Sequence, residues 1–380
     1  MSAIDDLIDD TGAYDCVECG KCTTVCPVAK LDSNFAPRLI VVKALEGVDG
    51  GLAQNKDIWR CTTCAICSNM CPYKVDYTEF IRGLRGEAII DGFEPICSQG
   101  GFMHTIARIL SNQLHQDRLN WVTDDLKVAK KGEVYYFSGC QAHLNKIFKE
   151  KNVKVIDIAR NCIRILNKVG ITPAMSNNEV CCGHDLNWIG DEATLKKLME
   201  INIKAIKTAG AKKVLFSCPE CMRTFDFDYQ GFAGDLDFEL VYITDFLMDL
   251  VDDGKLEFKD KGKEKVTYHD PCRLGRHLGI YDSPRELIEA AGFELIEMEN
   301  ICENATCCGV NAFVTCEALS KTMQINRLIE AKNTQADKLV TACPKCLIHF
   351  SCAVWKEIPV EKEKVDIPII DLISVVTERI

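Results

Sequence analysis

Short apolar runs alternate with longer amphipathic stretches over the C-terminal part of the chain. Four of the runs are rich in β-branched and aromatic residues, as buried strands are. They cover residues 134–137, 214–217, 266–269 and 339–342. Two intervening stretches, 193–209 and 317–331, place apolar residues three and four positions apart, which predicts amphipathic helices. The order strand, helix, strand occurs twice and predicts two parallel α/β units.

The N-terminal part of the chain shows no comparable strand pattern. Apolar positions at helical spacing predict helices at residues 37–45 and 77–90, so this part is expected to form a mostly helical domain. A further helix is predicted at 102–114, in a connector. A chain of 380 residues is long enough for such a multidomain α+β fold. The predicted units are 1–96, the connector 97–133, 134–262 and 263–380.

Cysteines recur in the same order in the two α/β units, at the ends of the predicted strands. The two sets are Cys140, Cys181, Cys182, Cys218 and Cys221 in the first unit, and Cys272, Cys307, Cys308, Cys343 and Cys346 in the second. The blocks of each set are separated by 40 and 35 residues in the first unit and by 34 and 34 in the second. Because the carboxyl ends of parallel strands meet at one edge of a sheet, each unit is expected to gather its five cysteines into one site. Gly183 and Gly309 follow the adjacent pairs, where a residue without a Cβ lets the backbone pass close to a bound group.

Two further cysteine motifs lie in the helical domain. They are Cys16, Cys19, Cys22 and Cys26 followed by Pro27, and Cys61, Cys64, Cys67 and Cys71 followed by Pro72. Both have the spacing of bacterial ferredoxins, in which three close cysteines bind one [4Fe–4S] cube and the fourth binds the other cube. The expected ligand sets are Cys16, Cys19 and Cys22 with Cys71, and Cys61, Cys64 and Cys67 with Cys26. Two zinc sites are the alternative, but zinc does not require a four-cysteine run of this kind.

Composition and charge indicate the environment of the protein. The chain holds 23 cysteines and has a formal net charge of −11. Cysteines at C-x-x-C spacing, without a signal-peptide pattern or a membrane-spanning apolar run, predict reduced thiolate metal ligands and a cytoplasmic location. The negative charge argues against nucleic acid or an anionic membrane as the main partner. Five cysteines outside the motifs are expected to pack as small hydrophobes: Cys97, Cys162, Cys302, Cys316 and Cys352.

The two five-cysteine units resemble the CCG domains of the heterodisulfide reductase catalytic subunit, and the N-terminal motifs resemble the ferredoxin subunit fused ahead of it. This order is similar to that of the D-type subunit of heterodisulfide reductase and of relatives in glycolate, lactate and glycerol-3-phosphate oxidising complexes. The resemblance covers nearly the whole chain. It implies a mostly helical ferredoxin domain with two cubane [4Fe–4S] clusters, followed by two repeated CCG domains with Rossmann-like parallel sheets. Each repeat would hold one noncubane [4Fe–4S] cluster on its five cysteines; a structural zinc is the alternative.

The function implied by the resemblance is that of an iron–sulfur disulfide oxidoreductase, the catalytic subunit of a heterodisulfide reductase-like complex of anaerobic metabolism. Electrons would arrive one at a time through the cubanes, and a disulfide such as CoM-S-S-CoB would be split between the two noncubane clusters. Members that only relay electrons often have an incomplete repeat, whereas both repeats are complete here. The alternative is an electron-relay subunit of a larger flavin-dependent dehydrogenase or electron-bifurcating complex.

Polar residues beside the cysteines are candidates for contacts to substrate or cluster. His184, Arg273 and Arg276 could protonate leaving thiolates or hold an anionic substrate. Alternatively, they satisfy backbone groups or donate hydrogen bonds to cluster sulfur. Four connector residues are candidates for a partner contact or a cover over a site, against the alternative of a linker helix packed on the ferredoxin domain: Arg108, His115, Arg118 and Trp121.

The sequence also indicates which partners the chain needs. No glycine-rich phosphate loop stands between a strand and a helix, so the chain itself is not expected to carry flavin or nicotinamide. Its electrons would come from a flavin-containing, heterodisulfide reductase A-like partner, a hydrogenase or formate dehydrogenase module, a cytochrome, or a free ferredoxin. The substrate would be a small-molecule disulfide. Any attachment to a membrane would be peripheral and would run through another subunit.

Overall fold

The structure is a computed structural model that describes residues 3–47, 52, 54–112, 114, 116–259, 262–314, 316–355 and 365–380. It contains helices before residue 134 and two parallel sheets flanked by helices after it, as the hydrophobic pattern predicts. Within these described ranges, no helix is both long and apolar enough to cross a membrane.

The ferredoxin-motif region is built from short helices around one apolar core. The helices are α1 Ala3–Asp10, α2 Lys21–Val25, α3 Pro37–Leu45, α4 Asp57–Arg60, α5 Ile66–Asn69 and α6 Tyr77–Ile90, with a 3-10 turn at Ala13–Asp15. The predictions of α3 and α6 are confirmed. Proline at the first position of α3 suits a helix start, because no N–H is needed there. Asp76 caps α6 by accepting hydrogen bonds from the backbone N–H groups of Thr78 and Glu79 at 3.2 Å.

The connector helix α7, Phe102–Leu110, follows a 3-10 turn at Ser98–Gly101 and ends four residues before its predicted end. The side chains of Ser111 and Asn112 both donate to the carbonyl of Arg108, which satisfies the helix end locally. The helix bridges the two repeats: Arg108 pairs with Asp191 at 2.8 Å, and His104 Nε2 lies 2.9 Å from the carbonyl of Ala312. His115 lies outside the described residues.

The first repeat is a three-stranded parallel sheet in the order β1-β2-β3. Its strands are β1 Val134–Phe137, β2 Lys213–Phe216 and β3 Glu239–Tyr242. Its helices are α8 Gln141–Ile147, α9 Val155–Lys168, α10 His184–Trp188, α11 Glu192–Ala209, α12 Pro219–Arg223, α13 Gln230–Ala233 and α14 Ile243–Asp252, with a 3-10 turn at Lys149–Lys151 and a π-helix at Thr224–Tyr229. The two predicted strands and the predicted helix are confirmed; β3 is an additional edge strand.

The second repeat is a four-stranded parallel sheet in the order β5-β4-β6-β7. Its strands are β4 Lys265–His269, β5 Glu294–Leu295, β6 Lys338–Thr341 and β7 Ile369–Asp371. Its helices are α15 Asp282–Ala290, α16 Ala318–Asn333, α17 Pro344–Trp355 and α18 Leu372–Thr377, with a π-helix at Arg273–His277 and a 3-10 turn at Cys302–Asn304. The extra strands β5 and β7 span only two and three residues, which is too short to leave a period in the sequence.

The two sheets pack on each other through one continuous core. Tyr135 of β1, Val266 of β4 and Val340 of β6 belong to the same buried cluster. The Tyr242 hydroxyl donates to the carbonyl of Ala342 at 2.5 Å, so the end of the first sheet is bonded directly to the second. This packing brings the carboxyl ends of the two central strand pairs to the same part of the molecule.

Candidate metal centres and the space between the repeats

The eight cysteines of the ferredoxin motifs lie in two neighbouring groups. Cys16, Cys19, Cys22 and Cys71 line one cavity together with Cys67, and Cys19 is exposed to solvent. Cys26 lies next to Cys61 and Cys64 and is buried with them. Cys67 also faces Cys61, Cys64 and Cys26, so it lies between the two groups. The crossed ligand sets agree with this grouping and stay a prediction. One candidate centre is therefore at the surface and the other is enclosed.

Each ferredoxin motif folds as a loop with two residues in the left-handed region. Glu18 and Gly20 have φ values of +56° and +76°. Thr63 and Ala65 occupy the same places in the second motif, with φ values of +49° and +62°. Non-glycine residues are strained in this region, and turns of this kind aim successive backbone N–H groups at an anion. The loops are therefore suited to a cluster that carries thiolate ligands.

The ten cysteines of the repeats form two groups with the same order of sulfur contacts. In the first group the contacts run from Cys140 to Cys181, Cys182, Cys221 and Cys218. In the second they run from Cys272 to Cys307, Cys308, Cys346 and Cys343. The Sγ atoms of Cys308 and Cys346 are 3.3 Å apart. None of these cysteines forms a disulfide, and only Cys272 is not fully buried. Five free thiols per repeat are thus available to one enclosed metal centre.

Strand ends place the cysteines in each group. Phe137 pairs with Phe216 at the ends of β1 and β2, so Cys140 and Cys218, which follow these strands, emerge side by side. In the second repeat His269 pairs with Thr341 in the same way, ahead of the corresponding cysteines. The parallel register therefore explains why residues far apart in the sequence converge.

Gly183 and Gly309 hold the turn that follows each cysteine pair. Both have a φ of +85°, which side chains rarely adopt. Their N–H groups donate to the sulfurs of Cys181 and Cys307 at 3.4 and 3.3 Å. A Cβ at Gly309 would lie 2.9 Å from the carbonyl oxygen of Ser320 on the following helix. The missing side chain therefore allows close packing of that helix, while the glycine N–H contacts a candidate ligand.

The enclosed ferredoxin centre touches the second five-cysteine group. The sulfurs of Cys64 and Cys307 are in hydrogen-bond contact. Arg276 donates to the carbonyls of Cys64 and Ala305 at 2.6 and 2.7 Å. The first repeat has no such contact with a ferredoxin cysteine among the residues described.

Arg273 joins three parts of the chain. It donates to the carbonyl of Thr63 and, at 2.7 Å, to the Thr63 hydroxyl. Its Nε donates to His184 Nε2 at 3.0 Å, and its guanidinium lies 4.2 Å from the ring of Trp188. For both arginines these contacts favour the interpretation that they satisfy backbone groups. A direct substrate contact of Arg273, Arg276 or His184 stays a prediction.

A buried charge network lies between the two five-cysteine groups. Lys345, inside the C-P-x-C pair of the second repeat, donates to Glu220, inside the corresponding pair of the first repeat, at 2.7 Å. It also pairs with Asp185, and the three side chains are less than one tenth exposed. Burial, together with the charges of Glu220 and Cys218, raises the pKa of Cys343 to about 11. The two groups therefore lie close together, with this network between them.

Burial and neighbouring charges shift the pKa of each titratable group in this network. Burial lowers the pKa of Lys345, but the two carboxylates outweigh this effect and hold it well above its usual range. Burial raises the pKa of Glu220 to about 7, against the opposing effect of Lys345. Burial raises the pKa of Asp185, but the Lys345 ammonium and the contact with His184 together outweigh it and hold the pKa below the usual range. Burial and the same ammonium hold the pKa of His184 well below its ordinary value, which makes it a neutral imidazole.

Sequence reasoning missed the support of the loop before Cys140. Glu179 accepts hydrogen bonds from the Gly139 N–H at 2.9 Å and from the Ser138 hydroxyl at 2.8 Å. Arg118 of the connector donates to the Gly139 carbonyl and is buried, which favours a cover over this site. A Cβ on Gly139 would lie 2.8 Å from the Cys221 sulfur. Gly139, directly before Cys140, is the sequence feature that could have indicated this packing, because only glycine fits so close to the Cys221 sulfur.

The cysteines outside the motifs differ in environment. Cys162 and Cys352 are buried, as predicted for packed small hydrophobes, and Cys97 and Cys302 are partly buried. Cys316 is exposed, so that prediction is wrong for this residue. Its thiol is instead in hydrogen-bond contact with His349.

Comparisons with known proteins agree with this arrangement. A family model described as "Cysteine-rich domain" matches residues 134–226 and 266–351, and one described as "4Fe-4S dicluster domain" matches residues 10–75. A helical dicluster domain, repeated cysteine-rich α/β domains and eighteen motif cysteines together define an iron–sulfur oxidoreductase.

The most informative relatives share most of this chain. The D-type subunit of dihydromethanophenazine:CoB--CoM heterodisulfide reductase from Methanosarcina acetivorans is 33% identical over 362 residues, which is 87% of this chain and 86% of that protein. The chain therefore belongs to the family of heterodisulfide reductase D-type subunits. EtfAB:quinone oxidoreductase from Syntrophomonas wolfei is 26% identical over 403 residues, covering 89% of this chain and 55% of the relative.

A solved structure supports the fold alone. A hypothetical protein from Helicobacter pylori superposes with a TM-score of 0.56 at 11% sequence identity, covering 90% of this chain and 67% of that one.

Proposed function

We propose that the chain is the catalytic subunit of a reductase that splits a small-molecule disulfide, such as CoM-S-S-CoB, between its two five-cysteine sites. The observation that carries the proposal is that both sites are complete, buried and adjacent, with Lys345 of one C-P-x-C pair bonded to Glu220 of the other. Each of two neighbouring sites of the same kind would bind one of the two sulfurs of a disulfide. The reaction R–S–S–R′ + 2 electrons + 2 protons gives RSH + R′SH.

The cysteines present fit the groups that the family implies. The five thiols of each repeat would hold one noncubane [4Fe–4S] cluster, and the two crossed sets near the N-terminus would hold the cubane clusters. Neighbouring free thiols without disulfides are the donor set that iron–sulfur clusters require. When bound, these clusters supply the single electrons for the reduction.

The other residues shape the space between the repeats. Trp188 is fully buried there, with the guanidinium groups of Arg273 and Arg223 at 4.2 and 4.7 Å from its ring. The Lys345 ammonium is paired with both Asp185 and Glu220, and all three side chains are buried, so each charge in this space has a partner. Exclusion of water strengthens every interaction with a thiolate leaving group.

The electron donor is proposed to dock at the exposed ferredoxin centre. Three apolar side chains near Cys19 are at least half exposed, with values of 77% for Tyr14, 53% for Val17 and 51% for Tyr73. Exposed apolar groups around an accessible redox site are typical of an interaction surface. The partner would be a flavin-containing subunit, a hydrogenase or formate dehydrogenase module, a cytochrome or a ferredoxin.

A second candidate function is an electron relay within a larger flavin-dependent complex. The similarity to EtfAB:quinone oxidoreductase favours it, because that relative extends well beyond the region shared with this chain. In a relay the space between the repeats would not bind substrate sulfur.

Metal analysis and EPR spectroscopy of the anaerobically purified chain separate the two candidates. About sixteen irons per chain are expected for four clusters. Adding one of the two product thiols to the oxidised protein should then produce a new paramagnetic species, because a substrate sulfur binds at a repeat. About eight irons per chain together with zinc would contradict the reductase function. Four clusters whose EPR signals do not change with any thiol would contradict it as well.

Serine variants test the assignment of the cysteine pairs. Changing both Cys181 and Cys182 to serine, or both Cys307 and Cys308, should lower disulfide reduction by more than about 100-fold, because thiolate ligands are lost. The EPR signals of the two ferredoxin cubes should remain. The matched control is Cys97→Ser, a partly buried cysteine outside every group, which should keep full activity. Activity retained in either pair variant would contradict the assignment.

A further inference from the structure

The two five-cysteine groups differ in the side chains that approach their sulfurs. In the second group His269 and His349 both contact Cys308. Thr224 stands in the first repeat where His349 stands in the second, three residues after the last cysteine of the group. Counting back three residues from the first cysteine of each group gives Phe137 in the first repeat and His269 in the second. A nitrogen of His269 and the sulfurs of Cys308 and Cys346 lie within 4.8 Å of one another. Phe137 occupies the equivalent place with a ring that has no hydrogen to donate.

The orientation of the His269 ring is fixed from two sides. Arg327 Nε donates to His269 Nδ1 at 3.1 Å. The ring of Phe350 packs edge-on against the imidazole, with centroids 4.9 Å apart. His269 and Arg327 are buried, with 1% and 0% of their surfaces exposed. These two contacts and the burial hold the ring in one orientation.

The contact with Arg327 also determines which nitrogen carries the proton. An arginine N–H can only donate, so Nδ1 of His269 must accept and holds no hydrogen. The neutral imidazole therefore carries its hydrogen on Nε2. Because Nδ1 faces Arg327, the nitrogen turned toward the cysteines is Nε2, and His269 is in hydrogen-bond contact with Cys308.

The position of Arg327 has a different occupant in the first repeat. Arg327 stands sixteen residues before Cys343, and Asn202 stands sixteen residues before Cys218. Asn202 uses its amide to donate to the carbonyl of Cys181 and to the Tyr229 hydroxyl, both at 3.1 Å. The pair of arginine and histidine in the second repeat is thus replaced by asparagine and phenylalanine in the first.

We propose that His269, held in its Nε2–H form by Arg327, donates a hydrogen bond to the sulfur of Cys308 and gives the second five-cysteine site a more positive reduction potential than the first. A hydrogen bond to a ligand sulfur stabilises the reduced, more negative state of a cluster. His269 is a positioning residue, since it acts through the cysteine. This inference rests on the proposed function, because it requires a cluster in each repeat.

The site with the more positive potential is also the one that touches the ferredoxin centre through Cys64 and Cys307. An electron arriving at the enclosed ferredoxin centre would therefore meet the better acceptor first. The first repeat would be reduced after it. The two halves of the substrate would then bind to sites that differ in electron affinity.

Redox titrations of the anaerobic full-length chain, followed by EPR, test the proposal. In His269→Phe, which installs the first-repeat residue, one midpoint potential should become more negative while the others stay in place. In His269→Gln, whose side-chain amide can donate from nearly the position of Nε2, that potential should stay close to the wild-type value. The signal that moves should be the one missing in the variant with Cys307 and Cys308 changed to serine.

The iron content separates failure of this inference from failure of the proposed function. A wild-type chain with only about eight irons would overturn both, because no cluster would exist in the repeats. About sixteen irons in wild type and His269→Phe with identical potentials would overturn the role of His269 alone.

A measurement on the wild-type chain covers the case in which His269→Phe fails to hold its cluster. In protein grown with ¹⁵N-histidine, pulsed EPR of the reduced second site should show a nitrogen coupling that survives in His349→Gln, which removes the other histidine in contact with Cys308, and disappears in His269→Gln. The same coupling in wild type and His269→Gln, or none in either, would overturn the proposal.

Discussion

The first and second repeats hold their cysteines with the same backbone but surround them with different side chains. Phe137 and Asn202 stand in the first repeat where His269 and Arg327 stand in the second. The second repeat also contacts the ferredoxin loop through Arg276, whereas the connector residue Arg118 covers the first. The cysteines are therefore arranged alike in the two repeats, whereas the charged and polar groups around them differ. Two copies of one fold can therefore serve as two unequal halves of one site.

Breaking the contact between the repeats should have the largest effect on stability. Lys345→Met leaves Asp185 and Glu220 buried without their cation, which costs about 3–5 kcal/mol. The free energy of unfolding from anaerobic urea titrations measures this loss. If the two repeats are independent units, the loss will be absent.

A compensating variant shows whether the loss comes from unpaired charge. Lys345→Met combined with Asp185→Asn and Glu220→Gln removes both carboxylate charges. It should recover at least half of the lost stability, because no buried charge is left unpaired. A triple variant as unstable as Lys345→Met would mean that the lysine stem contributes by packing instead.

The two glycines that follow the cysteine pairs give a matched test of an intermediate effect. Alanine at either position costs about 1–2 kcal/mol, because φ is +85° at both. At Gly309 the new Cβ also meets the Ser320 carbonyl at 2.9 Å, whereas at Gly183 it meets the flexible end of Leu195 at 2.6 Å. Gly309→Ala should therefore lose about 1–3 kcal/mol more than Gly183→Ala in urea titrations. Equal losses would show that the helix after Gly309 can move.

The smallest effect is expected at the start of helix α18, which follows the last strand of the second repeat. Asp371 accepts from the Ile373 N–H at 2.9 Å in the second repeat, where the first has Tyr242. Burial raises the pKa of Asp371 to about 7, so the folded chain keeps a proton that the unfolded chain releases above about pH 4. Stability should therefore fall as the pH rises from about 4 to about 7. Tyr242 and Cys162 face the same carboxyl group and are neutral at these pH values.

Asp371→Asn keeps the capping oxygen and removes the charge. It should stabilise the chain by about 1–3 kcal/mol at pH 8 and by nothing at pH 4. Urea titrations at the two pH values measure the difference. A gain of the same size at both would mean that the charge of Asp371 is not responsible.

The pattern of the sequence predicts the strands and helices that carry the cysteines, because they are long enough to show a period and end at marked residues. Helices α3 and α6 begin at a proline and a capping aspartate, which are local signals. The edge strands β5 and β7 were not predicted, because two or three residues are too few to show an alternation of apolar and polar positions. The early end of α7 depends on the side chains of Ser111 and Asn112 bonding to one carbonyl, a choice that helix propensity does not show.

For the candidate sites, spacing groups the cysteines but does not identify what lies between them. The bond between Lys345 and Glu220 joins residues of different repeats, so no local pattern announces it. Arg273 and Arg276 were recognisable from their place beside Cys272, but their contacts with Thr63 and Cys64 depend on how the N-terminal domain docks. Long-range contacts of this kind follow from the packing of whole domains.

The junction between the ferredoxin loop and the second repeat has a consequence for synthesis of the chain. Asn311 donates to the carbonyl of Trp59 at 2.7 Å, across 252 residues of sequence. At about 5–20 residues per second, a ribosome needs roughly 10–50 s to travel that distance. Throughout that interval the loop between Trp59 and Cys67 emerges without its final cover, and its thiols are open to the cell. Insertion of iron and sulfur into this loop is therefore unobstructed until the second repeat leaves the ribosome and docks.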